Sequence, residues 1–339
     1  MGRITVLGAG YMGSALTVPA SDNGHAVALW GTHLDGYIIE ALRAGRPHPK
    51  LGTRLPETVR PFDAGELPAA LDGADLVILA VTSDGALPTL ERARGLLAPD
   101  TPLVVVSKGL VQWHGRVVTL STAIAALGFP RTVTVGGPSK ALELTRRVPT
   151  RVLYASPDAD ARETARRRMQ TPYYCVDETH EQQGLELCSA LKNAYAIAIG
   201  LCDGLVAAGR AEAMYNTKAA IFAQALVEIT HLGRPVRLRP EMVAALAGAG
   251  DLFVTGVAGR NRAFGELRGA GLPTAQVVAR LQEQDQLTEG YAAIRSCWRY
   301  AQESGVEGLP LLRALYRIVY EDADVEREIR TACFDPVPA

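Results

Sequence analysis

Along the first half of the chain, short runs of β-branched and aliphatic residues alternate with longer stretches of helical periodicity. That alternation is the mark of repeated βαβ units around a mainly parallel sheet. Seven runs are brief and apolar enough to be strands, most of them buried on both faces: Ile4–Leu7, Ala26–Trp30, Leu76–Val81, Leu103–Val106, Thr132–Val135, Arg151–Tyr154 and Tyr173–Val176. After about Glu178 strand-like runs stop, and alanine- and leucine-rich amphipathic segments continue almost to Val325. The pattern predicts an α/β N-terminal domain with a mainly parallel sheet over residues 1–179 and an all-α C-terminal domain over residues 180–339. One helix is expected over about Gln182–Leu201 and another over Ala219–Ile229, with Asn216 or Thr217 as its cap. The Gly- and Pro-rich stretch Ala41–Leu55 reads as a loop.

The turn after the first strand reads Gly8-Ala9-Gly10-Tyr11-Met12-Gly13 and leads directly into a helix. In a dinucleotide-binding turn of this spacing, Gly8 permits the sharp bend, Gly10 admits a pyrophosphate close to the backbone and Gly13 lets helix and strand pack together. The residues that follow the second strand, Thr32 and His33, stand where an acidic side chain would select NAD or a basic one NADP, and they leave that choice open.

Three further groupings carry candidate chemistry. Lys108, in Ser107-Lys108-Gly109, follows a strand at the end where open α/β sheets bind ligands. Lys192 lies in the predicted helix with Cys188, Ser189, Tyr195 and Ala196 one turn away and no acidic neighbour at those positions, so partial burial would lower its pKa toward the range of a general acid or base. Gly248-Ala249-Gly250-Asp251-Leu252, then Thr255 and Gly259-Arg260-Asn261-Arg262, would place polar groups on a tight loop and a helix start suited to an anion. Each also has a bland reading, as a solvated loop lysine, a snorkelling helical lysine and a salt-bridged helix connection.

Composition narrows the class. Thirty-five basic against 36 acidic residues in a chain of 339 supply no positive field for nucleic acid, and no uncharged apolar run reaches the length of a membrane span. Five scattered cysteines without a C-x-x-C pair argue against a disulfide framework or a zinc site, and a cytoplasmic protein without a bound metal is expected.

In order along nearly the whole chain, nine segments resemble the NAD(P)-dependent glycerol-3-phosphate dehydrogenase family. They are the glycine turn, Ala74-Asp75-Leu76-Val77, Ser107-Lys108-Gly109, Gly137-Pro138-Ser139, Ala190-Leu191-Lys192-Asn193-Ala194-Tyr195-Ala196-Ile197, Asn216-Thr217-Lys218-Ala219-Ala220, Gly250-Asp251-Leu252, Gly259-Arg260-Asn261-Arg262 and Glu289-Gly290. The resemblance implies an N-terminal Rossmann-type domain and a helical C-terminal domain with an active site in the cleft between them, NAD or NADP as cofactor, and a small phosphorylated substrate. Lys192 would be the proton donor at the C2 oxygen, assisted by Lys108 and Asn193, with Asp251 and Thr255 positioning substrate and lysine. Substrate contacts would come from Lys108, Gly137, Ser139, Lys192, Asp251, Arg260 and Asn261, the last two holding the phosphate. Cofactor contacts would come from Gly8, Gly10, Tyr11, Met12, Gly13, Thr32, His33, Lys108, Arg260 and Glu289.

The chain departs from the family pattern at Met12, where tryptophan is common, at Thr32 for arginine, at Thr82-Ser83-Asp84 for a proline-serine pair, and at Lys140. The expected reaction is reduction of dihydroxyacetone phosphate to glycerol 3-phosphate. A paralogue acting on a related phosphorylated or phosphonate carbonyl, and a catalytically silent dinucleotide sensor, are the alternatives. The helical half could pair with a second copy, so a homodimer is expected.

Overall fold

The computed structural model describes residues 2–284 and 288–335. It divides into two compact units, one of residues Met1–Lys108 with Leu120–Leu185 and the other of Gly109–Thr119 with Glu186–Ala339. The change of unit thus falls at Leu185/Glu186, and a short inner segment belongs with the helical residues.

Among the described residues there are ten strands: β1 (Arg3–Leu7), β2 (Ala26–Trp30), β3 (Val59–Phe62), β4 (Leu76–Leu79), β5 (Leu103–Val105), β6 (Leu110–Trp113), β7 (Arg116–Thr119), β8 (Thr132–Gly136), β9 (Thr150–Ala155) and β10 (Tyr174–Thr179). All seven expected strands form. Eight strands make one sheet in the order β10-β9-β8-β5-β4-β1-β2-β3, and every pairing is parallel except β8 with β9. Ile4, Val6, Leu29, Leu76, Ile78, Val104 and Val133 are at most 2% exposed, because helices cover both faces of a parallel sheet and leave no wet side.

Three strands were not expected. β3 is an edge strand whose apolar run is broken by Arg60 and Pro61; a proline is tolerated there because an edge leaves N–H groups unpaired. β6 and β7 form a separate antiparallel hairpin. Its turn residues, His114 (φ 46°) and Gly115 (φ 82°), both take the left-handed conformation that a tight two-residue turn requires. The hairpin packs on the helix Glu289–Glu303, and Val117 N–H donates to the Glu303 carboxylate at 2.8 Å.

From residue 186 onward the regular elements among the described residues are all helices. The long helix runs over Gln182–Ala207, two turns past its expected end, and the next spans Tyr215–Leu232. That second helix begins before Asn216, with Met214 at the cap position, so neither Asn216 nor Thr217 caps it. The stretch expected as a loop from Ala41 begins inside the helix Gly36–Arg43 and is irregular only beyond it. Gly248-Ala249-Gly250 is not a tight loop but part of a π-helical turn, Leu246–Gly250, that runs straight into the helix Asp251–Val257.

Two helical stretches, Gln182–Ala207 and Pro240–Val257, have the length and mean hydropathy of a membrane span. The first has 78% of its most apolar window buried, as a core helix does, and it carries Glu186, Lys192 and Asp203.

Candidate active site

In the first unit the candidate residues follow the C-terminal ends of two pairs of adjacent strands, β1 with β2 and β5 with β8. Gly8 (φ 112°) takes a conformation that L side chains avoid, and a Cβ on it would lie 2.8 Å from Ala80 O. A Cβ on Gly13 would lie 2.0 Å from Gly8 O, so only glycine lets the helix Tyr11–Asp22 sit this close to the turn. Around Gly10 the space is open, with nothing within 4 Å of a Cβ. Gly10 is also the N-cap and has no side chain with which to cap, so the first N–H groups of the helix lack an intrahelical acceptor. An uncapped helix start beside an open backbone is the arrangement a pyrophosphate fits.

After β2, Thr32 donates to the Asp35 carboxylate through both its N–H and its hydroxyl, each at 2.8 Å. Asp35 is thereby engaged within its own turn, and His33 is exposed. At the end of β5, Ser107 Oγ donates to Val81 O and Ser83 Oγ to Lys108 O, both at 2.6 Å. The turns after β4 and β5 are thus tied together, which holds the half-buried Lys108 in place. After β8, Gly137 has φ 95° and Ser139 Oγ is buried with no hydrogen-bond partner among the described residues. A buried hydroxyl left in that state is suited to a polar ligand group.

In the second unit Lys192 is 7% exposed and Asp251 2%. Lys192 Nζ lies 2.5 Å from Asp251 Oδ1 and 2.9 Å from Thr255 Oγ1. Thr255 Oγ1 donates to Asp251 O at 2.7 Å, one helical turn back, which leaves its lone pairs for the ammonium. The acidic partner that the Lys192 helix does not provide comes from another helix.

A chain of amides runs beside this pair. Asn193 Nδ2 donates to Glu289 Oε2 at 3.1 Å, Asn261 Nδ2 to Asn193 Oδ1 at 3.0 Å, and Gly290 N–H to Asn261 Oδ1 at 2.9 Å. These contacts fix which end of each amide is oxygen and leave one N–H on each nitrogen. Arg260 is the first residue of the helix Arg260–Gly269. Its side chain is exposed, and no ion pair is made to it among the described residues.

Glycines bring these helices together. A Cβ on Gly200 would lie 2.1 Å from Arg262 O, one on Gly204 2.1 Å from Glu266 O, one on Gly265 2.1 Å from Ile197 O and one on Gly269 2.2 Å from Leu201 O. Gly200 with Gly204 and Gly265 with Gly269 stand one turn apart on facing helices, and their missing side chains let the backbones touch. Asp203 then links the two helices, accepting from Arg262 Nε at 2.9 Å and pairing with Lys218. The sequence reading missed this clamp, although four-residue glycine spacing on both helices signals it. It also missed the fully buried His48, which lies among the glycines and prolines of an irregular segment.

Residues 3–162 match the model of the NAD-dependent glycerol-3-phosphate dehydrogenase N-terminus, and residues 181–330 that of the C-terminus. The chain is 36% identical over 327 residues to an NADP(+)-dependent glycerol-3-phosphate dehydrogenase of Archaeoglobus fulgidus, covering 95% of this chain and 96% of the relative. It is also 36% identical to a glycerol-3-phosphate dehydrogenase [NAD(P)+] of Geobacillus thermodenitrificans, covering 95% and 91%. The crystal structure of a glycerol-3-phosphate dehydrogenase from Coxiella burnetii superposes with a TM-score of 0.83 at 27% identity, covering 97% of this chain and 98% of that one. The chain therefore belongs to the NAD-dependent glycerol-3-phosphate dehydrogenase family.

Proposed function

We propose that the protein reduces dihydroxyacetone phosphate to glycerol 3-phosphate, with NADH or NADPH as reductant. The observation that carries this reading is the buried Lys192 ammonium held by Asp251 and Thr255. A buried cation with a fixed counter-charge is costly to maintain for stability alone and well suited to donating a proton at a defined atom.

The glycine turn after β1 would hold the pyrophosphate, and the nicotinamide, when bound, supplies hydride to the C2 carbonyl carbon. Lys192 gives its proton to the C2 oxygen as that oxygen becomes an alkoxide, and is recharged from solvent. Asp251 holds Lys192 Nζ in place, as an ammonium before the transfer and as a neutral amine after it. Asn193, its amide orientation set by Glu289 and Asn261, has an N–H left for the same oxygen or the neighbouring hydroxyl. The phosphate is assigned to Arg260, whose guanidinium offers a planar fork of donors at the start of a helix. Lys108 and Ser139 are assigned to substrate binding as well. The proposed compartment is the cytoplasm, supported by five cysteines that are all free.

Oxidation of NADH and of NADPH should be followed in parallel with dihydroxyacetone phosphate as acceptor. Turnover with at least one, abolished in Lys192→Ala, is the expected result. Wild-type protein that oxidises neither would refute the reading.

A further inference from the structure

Between the helix Gly36–Arg43 and β3 the chain has no regular structure, yet His48 within it is fully buried. Its Nδ1 lies 3.1 Å from Lys50 N and 3.2 Å from Leu51 N. Two N–H groups aimed at one ring nitrogen require a lone pair there, so the proton resides on the other nitrogen. Nε2–H then donates to Ala9 O at 3.0 Å, inside the glycine turn. Ser14 Oγ donates to the same carbonyl at 3.0 Å.

A trans peptide is planar, with its C=O and N–H pointing in opposite directions. Two donors that hold Ala9 O therefore also set the direction of Gly10 N–H, which leaves the peptide on the side away from His48. Nothing lies within 4 Å of where a Cβ on Gly10 would stand, so a ligand can approach that backbone closely. The same His48 contacts shape the chain that carries Lys50, whose ammonium lies 5.8 Å from the ring centroid of Tyr11, the first residue of the helix.

We infer that His48 is a positioning residue for the dinucleotide. It locks the Ala9–Gly10 peptide with its N–H directed to the pyrophosphate and sets Lys50 beside the same helix start. This rests on the cofactor reading given above.

The test is a fluorescence titration with NADH and NADPH, with steady-state kinetics, on wild type, His48→Asn and His48→Gln. Asparagine keeps an acceptor for Lys50 and Leu51 N–H but does not reach Ala9, whereas glutamine places an amide N–H where Nε2 stood. His48→Asn should raise the cofactor KM by about 10-fold, as loss of one buried hydrogen bond does, with kcat at saturating cofactor and KM for dihydroxyacetone phosphate within about twofold. His48→Gln should recover most of the loss. A cofactor KM within about twofold of wild type in His48→Asn, or an equal loss in both variants, would overturn the inference. Should His48→Asn fail to fold, Ser14→Ala removes the other donor to the same carbonyl; a rise of about threefold in cofactor KM supports the inference and no rise overturns it. Wild type that binds neither dinucleotide would defeat the cofactor reading itself, whereas wild-type binding with unmoved variants defeats only the role of His48.

Discussion

Asp251 Oδ1 lies 2.5 Å from Lys192 Nζ although 59 residues separate them, and both side chains are almost fully buried. Lys192→Ala should lower kcat by about 10²–10⁴-fold with cofactor affinity retained. Asp251→Ala strands a buried ammonium and should cost about 3–5 kcal/mol in denaturant unfolding. The double variant removes both charges, so it should regain stability relative to Asp251→Ala while kcat stays low. Recovery of activity together with stability would mean that the pair is structural.

Arg260 is exposed and unpaired among the described residues, so its truncation leaves no orphaned partner. Arg260→Ala should change unfolding free energy by no more than about 0.5 kcal/mol. Substrate KM should rise by about 10-fold to 100-fold, the worth of a charge-assisted contact to phosphate. Arg260→Lys should recover only part, since an ammonium cannot reproduce the fork. An unmoved KM removes Arg260 from the phosphate site.

Gly204→Ala would gain about 1 kcal/mol of helix propensity at an ordinary helical position. Here the added Cβ would stand 2.1 Å from Glu266 O, a backbone atom that cannot swing aside. The helix Arg260–Gly269 must move, and a net loss of about 1–3 kcal/mol is expected, with a raised substrate KM because Arg260 and Asn261 move too. A thermal melt and a KM measurement on Gly204→Ala check this, and Gly200→Ala should behave alike.

Burial holds both His48 and His25 below the usual imidazole range. For His48 its bonds to Ala9 and its own segment and the charge of Asp35 oppose the effect, while Lys50 adds to it. For His25 the charge of Arg168 adds to it, and the bond from Gly2 and the charge of Asp75 oppose it. The native state therefore binds these protons less readily than the unfolded chain does. The stability they contribute is present above about pH 6.5 and is lost as pH falls through the folded-state values. Urea unfolding should show a decline between pH 7 and pH 5 that is shallower in His48→Gln. A slope unchanged by that substitution would contradict the prediction.

The elements legible in the sequence were those whose burial leaves a local trace. β2 and β4 read as unbroken apolar runs, and β1 as a run broken only by the buried Thr5. β3 did not, because an edge position tolerates Arg60 and Pro61. The β6–β7 hairpin was missed because its alternation is short and its turn puts a histidine where asparagine or aspartate usually precedes the glycine. At the candidate site, residue identities stood out through motif order, whereas their partners did not. Asp251 reaches Lys192, and Asn261 reaches Asn193, only after helices far apart in sequence pack through glycines. His48 had no motif of its own, and only its bond to Ala9 singles it out.

The hairpin Leu110–Thr119 leaves the first unit at Lys108 and returns to it at Leu120, and the chain crosses again at Leu185. Three crossings mean that no single cut yields two self-sufficient fragments. A C-terminal piece beginning at residue 181 would lack the strands that cover the helix Glu289–Glu303 and satisfy Glu303, while the complementary piece would carry those strands with nothing to pack on. The two halves are consequently not interchangeable cassettes. A chimera that joins this cofactor unit to a relative's helical unit has to carry the hairpin across with the helices, as an insert between Lys108 and Leu120.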